Sequence, residues 1–160
     1  MKYPNKFNFL KKYLTQDKKA KTFSFYLLDS VKIDKSFINF LIEFSKENDY
    51  CDVRLNLHSN PNESHHDMII LQNKKNKYKP HKHIYKGDTF NIIKGKLGVL
   101  IFNKIGKVKK EYVLSKNEVL RTKKNEYHQV IPLSTQVIYH ETKKGPFLKK
   151  NDSVFPNWVK

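Results

Sequence analysis

Seven histidines punctuate this 160-residue chain, at positions 58, 65, 66, 81, 83, 128 and 140. The sharpest arrangement is His81-Lys82-His83. In an extended strand, residues i and i+2 share a face, so both imidazoles can reach one metal ion from one strand. Asp88 follows five residues after His83, and Gly95 stands seven further on, in a lysine-flanked turn. His128 lies on a later strand candidate, where a neighbouring strand can bring it onto the same centre. Three imidazoles and a carboxylate suit a divalent transition metal such as Zn, Fe, Mn or Ni. Three or four protein ligands leave coordination positions open, which catalysis or substrate capture requires. A plainer reading stands beside this one: a lone His-x-His arises by chance, and Asp88 after Gly87 can merely close a turn. His65-His66 is weaker, because strand neighbours face opposite ways, and it reads as surface histidine after a turn. His140, between Tyr139 and Glu141, fits either core or surface.

Other side chains could serve such a centre. Arg54, Asn56 and His58 alternate on one face of an extended segment, with Leu55 and Leu57 on the other. That pattern suits the mouth of a barrel that binds substrate, and the arginine fork can grip a carboxylate or phosphate bidentately. A half-exposed edge strand produces the same alternation. Glu141 is a candidate general acid or base, or a partner for a metal-bound histidine. It can equally pair with Lys143 or Lys144.

Stepping outward, the chain must supply elements that carry these residues. Asn5 to Lys21 has Phe9, Leu10, Tyr13 and Leu14 at helical spacing, and Phe23 to Leu28 reads as a short strand. Asp34 offers an N-cap to an apolar stripe of Phe37, Ile38, Leu41, Ile42 and Phe44, a helix ending near Asn48. Beyond Arg54 come short β-rich runs over 53–57, 67–72, 88–93, 97–102, 108–114, 118–121, 127–131 and 136–141. Turn signals separate them, a rhythm that indicates a sandwich or barrel. Gly145 to Lys160 reads as an irregular tail, with Phe147, Phe155 and Trp158 available to anchor it. The length allows one domain. Residues 1–50 read as an extension packed on a barrel that occupies 51–160.

Composition bounds the function. Thirty-two Lys and Arg against fifteen Asp and Glu give a net charge of +17. Of the 32, only Arg54 and Arg121 are arginines, whereas bidentate base and phosphate contacts favour arginine. Abundant Lys, Asn, Ile, Phe and Tyr with a single Ala and five Gly is the imprint of an AT-rich genome. Most of the lysine excess therefore reads as composition spread over a solvated face, and nucleic acid is not an expected partner. Cys51 stands alone, which excludes an internal disulfide and fits a reducing compartment. No run approaches the roughly 18 apolar residues of a membrane span, and no apolar stretch follows the N-terminus. A cytoplasmic protein without a membrane span is expected.

Taken in order, the motifs resemble those of the cupins. Pro80-His81-Lys82-His83, Asp88-Thr89-Phe90 and Gly95-Lys96-Leu97 look like the first cupin motif, with Asp88 where Glu is usual, and His128 matches the histidine of the second. The second motif's usual glycines are absent around Arg121 to Tyr127. The resemblance is nearer to one branch, the WbuC-type cupin-fold metalloproteins. Arg54-Leu55-Asn56-Leu57-His58 stands where that branch has Arg-x-Asn-x-His, and Glu141, Gly145-Pro146-Phe147 and Trp158 match its closing residues. His66-Asp67-Met68 departs from it, where an Arg before an apolar strand is usual. The resemblance covers about residues 25 to 158. It implies a mainly β chain, a cupin double-stranded β-helix (jelly-roll barrel) after an N-terminal helical segment. It also implies a divalent metal on His81, His83, Asp88 and His128, frequent dimerisation, and an association with surface-polysaccharide or O-antigen assembly. Asp88 is one methylene shorter than Glu, so direct ligation and action through water both stay open.

Three functions follow. The first is a metal-dependent enzyme, an isomerase, epimerase or oxygenase type, acting on a small polar substrate such as a sugar or anionic nucleotide sugar. Cupin epimerases that work without metal use a His and a Tyr, and the His-x-His plus acid argues against them here. The second is a non-enzymatic barrel that holds a small ligand or metal. The third is polyanion binding through the lysine surface.

Overall fold

A computed structural model of the chain describes residues 1–148 and 152–159. A 3-10 helix over Asn5–Tyr13 leads into β1 (Leu14–Gln16) and β2 (Phe23–Leu27). The helix α1 (Lys35–Glu47) follows, then β3 (Val53–Asn56), β4 (His65–Asn73), β5 (Asp88–Lys94) and β6 (Leu97–Phe102). The remaining strands are β7 (Val108–Leu114), β8 (Val119–Arg121), β9 (Tyr127–Pro132) and β10 (Gln136–Lys144).

The strands form a seven-stranded sheet in the order β1-β2-β3-β4-β10-β5-β8 and a three-stranded sheet in the order β7-β6-β9. Between the two sheets lies one core, with Met68, Ile70, Phe90, Ile92, Val137 and Tyr139 meeting Leu97, Val99, Ile101 and Val130. The other face of the larger sheet buries Val53, Leu55, Ile69, Leu71 and Ile138 against Phe37, Phe40, Leu41 and Phe44 of α1. A sheet covered on both faces explains the unbroken apolar run from Met68 to Leu71, where neighbours point to opposite cores. Asp34 caps α1 as expected, its Oδ1 accepting the backbone N–H of Ser36 at 2.8 Å and of Phe37 at 3.4 Å.

The N-terminal segment departs from expectation. The helical spacing of Asn5 to Lys21 ends at Tyr13, and Leu14, Thr15 and Gln16 instead pair with Leu27, Tyr26 and Phe25. The ladder to β2 sets Leu14 into the core on the α1 side of the larger sheet, a burial that local spacing does not show. Among its described residues the tail is irregular apart from a two-residue bridge between Val154 and Lys82, and residues 149–151 and 160 lie outside them. Trp158 anchors it, against Phe102 at 5.3 Å and Tyr127 at 6.0 Å between ring centroids, whereas Phe147 and Phe155 are exposed. Among the described residues, no helix is long and apolar enough to cross a membrane.

Candidate metal centre

Register decides what the barrel interior contains. Residues directly opposite across an antiparallel pair share a face. Arg54 faces Ile70, which faces Tyr139; Asn56 faces Met68, which faces Glu141, which faces Phe90. One row further, His66 faces Lys143, which faces Asp88. Met68, Ile70, Phe90 and Tyr139 belong to the inner core, so Arg54, Asn56, Glu141, Lys143 and Asp88 all point inward. From the smaller sheet, His128 enters opposite Ile101. His81 bridges His128 through backbone hydrogen bonds of 3.0 and 2.8 Å, which brings the His-x-His segment against β9.

His81, His83 and His128 thereby converge, with one ligand atom from each lying within 4.8 Å of the others. Each ring is tied back through Nδ1 to a backbone carbonyl. His81 uses Lys79 at 3.2 Å, His128 uses Glu126 at 3.0 Å, and His83 uses Asp152. A carbonyl only accepts, so each Nδ1 carries a proton, and in the neutral ring each Nε2 keeps a lone pair. Asp88 places Oδ2 3.1 Å from Nε2 of both His83 and His128. Lone pairs cannot face a carboxylate at that distance without a cation or proton between them. Two ligands at right angles on an ion about 2.1–2.2 Å away stand about 3.0–3.1 Å apart, so the donor set fits a divalent metal. Among the described residues, the group within 4.8 Å contains the three histidines only.

The electrostatics follow from burial. His83, His128 and Asp88 are 3%, 2% and 2% exposed. Desolvation pushes the His81 pKa down to about 4, with His128 adding to the effect. Burial also opposes a charged His128, but the Asp88 carboxylate outweighs it and raises that pKa. For Asp88, burial disfavours the anion, yet Lys143, His128 and His83 together hold its carboxyl well below the usual range. Lys143 stands 2.8 Å from Glu141 Oε1 and 3.7 Å from Asp88 Oδ1. Burial works against its charge too, and the two carboxylates more than offset it.

Of the residues singled out from sequence, Glu141 sits inside the barrel, bound to Lys143. Asn56 gives its amide to Ser24 Oγ at 2.8 Å. His58 lies beyond the end of β3, tied by Nδ1 to the Asp67 carbonyl at 3.0 Å and stacked on His66 at 4.2 Å. His66 is therefore buried instead of lying at the surface, because β4 starts earlier than its apolar pattern shows. His65 and His140 both reach Asp67 at 3.2 Å. Sequence reasoning paired Glu141 with Lys143 or Lys144 but did not place Lys143 beside Asp88, and it missed the Asp152 carbonyl. The i, i+2 spacing of Glu141 and Lys143 carried a signal for the first, and nothing local signals the second.

Lys82 and Tyr127, chain neighbours of the ligands, face outward instead and pair at 4.7 Å. They border a cleft of about 410 Å³ that also carries Lys104, Lys109, Lys123 and Lys124.

Comparison with known proteins supplies the kinship. Residues 33–114 match the model of a family described as a domain of unknown function, DUF6016. The structure of CapF with the inhibitor 3-isopropenyl-tropolone aligns with a TM-score of 0.55 and 18% identity, over 64% of this chain and 31% of that one. CapF of Staphylococcus aureus, a capsular polysaccharide assembling protein, aligns with a TM-score of 0.52 and 18% identity, over 59% and 27%. An RmlC-like cupin family protein with a double-stranded β-helix fold, from Methanocaldococcus jannaschii, aligns with a TM-score of 0.45 and 13% identity, over 53% and 74%. The chain spans about a third or less of the CapF structures it matches. No curated protein matches it in sequence. At these identities the likeness is one of fold, the cupin double-stranded β-helix that the motifs implied.

Proposed function

We propose that this chain, which belongs to the DUF6016 family, is a metal-dependent cupin of the WbuC type acting on a small polar or sugar substrate. The supporting observation is the convergence of His81, His83 and His128, each with Nδ1 tied to a carbonyl and Nε2 turned to the centre. These three residues would hold a divalent metal, and Asp88 would join through Oδ2. Such an ion supplies a Lewis acid, or activates water or oxygen. Lys143 keeps Asp88 ionised and turned inward. Glu141 gives Oε1 to Lys143, which leaves Oε2 to take and return a proton. Arg54, with Asn56 and His58 beside it, lines the substrate side. What CapF's name says of that protein, assembly of capsular polysaccharide, supports a role for this chain in cell-surface polysaccharide synthesis. The same proposal takes 51–160 as the working barrel, a homodimer as its assembly and the cytoplasm as its place.

Metal analysis tests the centre. Wild-type protein should carry about one divalent ion per chain, and His81→Ala with His83→Ala should carry none. Wild type without stoichiometric metal under every loading condition would sink the proposal. A second reading, a barrel that holds metal without turnover, is favoured by the low exposure of His83, His128 and Asp88. Exchange of labelled water into bound sugar would decide for the enzyme.

A further inference from the structure

Arg54 is one of two arginines among 32 basic residues, and it points into the barrel. Its row on the inner face runs Ser24, Arg54, Ile70, Tyr139 and Ile92. Its Nε is buried with no hydrogen-bond partner. No ion pair or hydrogen bond reaches the guanidinium among the described residues. Yet part of the side chain is open to solvent. Its charge reaches Tyr26, His58, Tyr78, Tyr139 and Lys143, and the carboxylates Asp52 and Glu141 act on the same Tyr78 and Tyr139, but neither bonds to the guanidinium. The barrel's acids are already engaged, Asp88 and Glu141 by Lys143 and Asp52 by Tyr78 and Asn76. A partly buried cation that the fold leaves unpaired lacks what such groups almost always have.

We propose that Arg54 is the docking point for the carboxylate of a singly charged organic acid, so that the ligand of this barrel is a small sugar acid or hydroxy acid. The inference rests on the reading of the barrel as a ligand-binding cupin and narrows its substrate class. A planar carboxylate matches the guanidinium fork with two parallel hydrogen bonds. The guanidinium has no direct anionic partner, and a single carboxylate can pair with it. A phosphate monoester carries nearly two negative charges and would need a second free cation or a cluster of backbone N–H groups. Lys143 is already neutralised by two carboxylates and does not supply it. A neutral sugar would leave the orphaned Nε as it is.

Three probes that differ only at one carbon isolate the acid group: D-glucuronate, D-glucose and D-glucose 6-phosphate. Each is titrated calorimetrically into zinc-loaded protein. Glucuronate should bind wild type, and Arg54→Met should weaken it about 10–100-fold, the worth of a charged bidentate contact. Arg54→Lys should recover part of that loss. Glucose should not compete. Because Nε has no partner to lose, Arg54→Met should leave Tm unchanged or raise it, which a structural role would not do. Glucuronate binding that is absent, or that survives Arg54→Met, overturns the proposal, and so does tighter binding of the 6-phosphate. The same titration on His81→Ala with His83→Ala separates the two ideas. Arg54-dependent glucuronate binding there upholds the acid site without the metal, and zinc uptake by a wild type that ignores glucuronate refutes the acid site alone.

Discussion

Lys143→Met offers the sharpest check on the interior charge arrangement. The substitution keeps the length of the side chain and removes the cation between Glu141 and Asp88. Removing one partner of a buried ion pair costs about 3–5 kcal/mol, because the other partner stays buried and unpaired. For a chain of this size that is a fall in Tm of about 6–20 °C. The distances apportion the loss. At an effective dielectric of about 20, 2.8 Å to Glu141 corresponds to an attraction of about 5.9 kcal/mol, and 3.7 Å to Asp88 to about 4.5 kcal/mol, before desolvation. Asp88 therefore carries a little over two-fifths of it. A divalent ion held by the histidines would compensate Asp88 but not Glu141. Urea unfolding in chelator should show the full loss, and unfolding with saturating zinc should show it reduced by about two-fifths. Adding Glu141→Gln to Lys143→Met should recover most of the remainder. An identical loss with and without zinc, or a loss below about 1 kcal/mol in chelator, would refute the assignment of Lys143 as the counter-charge of the centre.

Three further outcomes follow from named contacts. Asp34→Ala removes the acceptor for Ser36 and Phe37 and should cost about 1 kcal/mol, read as a Tm lower by about 2–4 °C; an unchanged Tm would mean that the cap is not formed. Gly87→Ala would set a Cβ 2.1 Å from the Thr122 carbonyl oxygen, so β5 must shift by Asp88 and zinc affinity should fall at least tenfold; unaltered affinity counts against Asp88 as a ligand. Burial, then its neighbour His58, depresses the His66 pKa to about 4. The folded state keeps that ring neutral while the unfolded chain protonates it below about 6.5, so stability should fall as pH drops from 6.5 toward 4, at up to about 1.4 kcal/mol per pH unit. Chemical unfolding at pH 7 and pH 5 measures this, and His66→Phe should make the slope shallower, His81 supplying part of what remains; equal stability at the two pH values in wild type would contradict it.

The strands and α1 were legible because burial imposes period 2 or 3.6 on apolar residues. Phe37, Leu41 and Phe44 follow the one rule, and Phe90 and Ile92 the other. The His81–His83 pair was legible for the same reason, since its geometry is local. His128 was offered by its strand candidate and matched by the resemblance, while its approach to His81 is a bridge between residues far apart in sequence that no local pattern shows. The stretch from Leu14 to Gln16 misled, since pairing with β2 overrode a local helical pattern. His66 misled similarly: its burial comes from His58 and the Pro61 carbonyl, neither of which periodicity can show.

The carbonyl that orients His83 belongs to Asp152, 69 residues downstream. During synthesis at about 5–20 residues per second, that interval lasts about 3–14 s. For the first 45 residues of it the His-x-His segment can meet metal before His128 is made, and for the rest before the Asp152 carbonyl is made. An ion caught so early sits on a pair of rings of which His83 has no tether yet, and it exchanges freely. The nascent chain therefore cannot commit to whichever cation it meets first, and the choice of metal falls to the finished barrel.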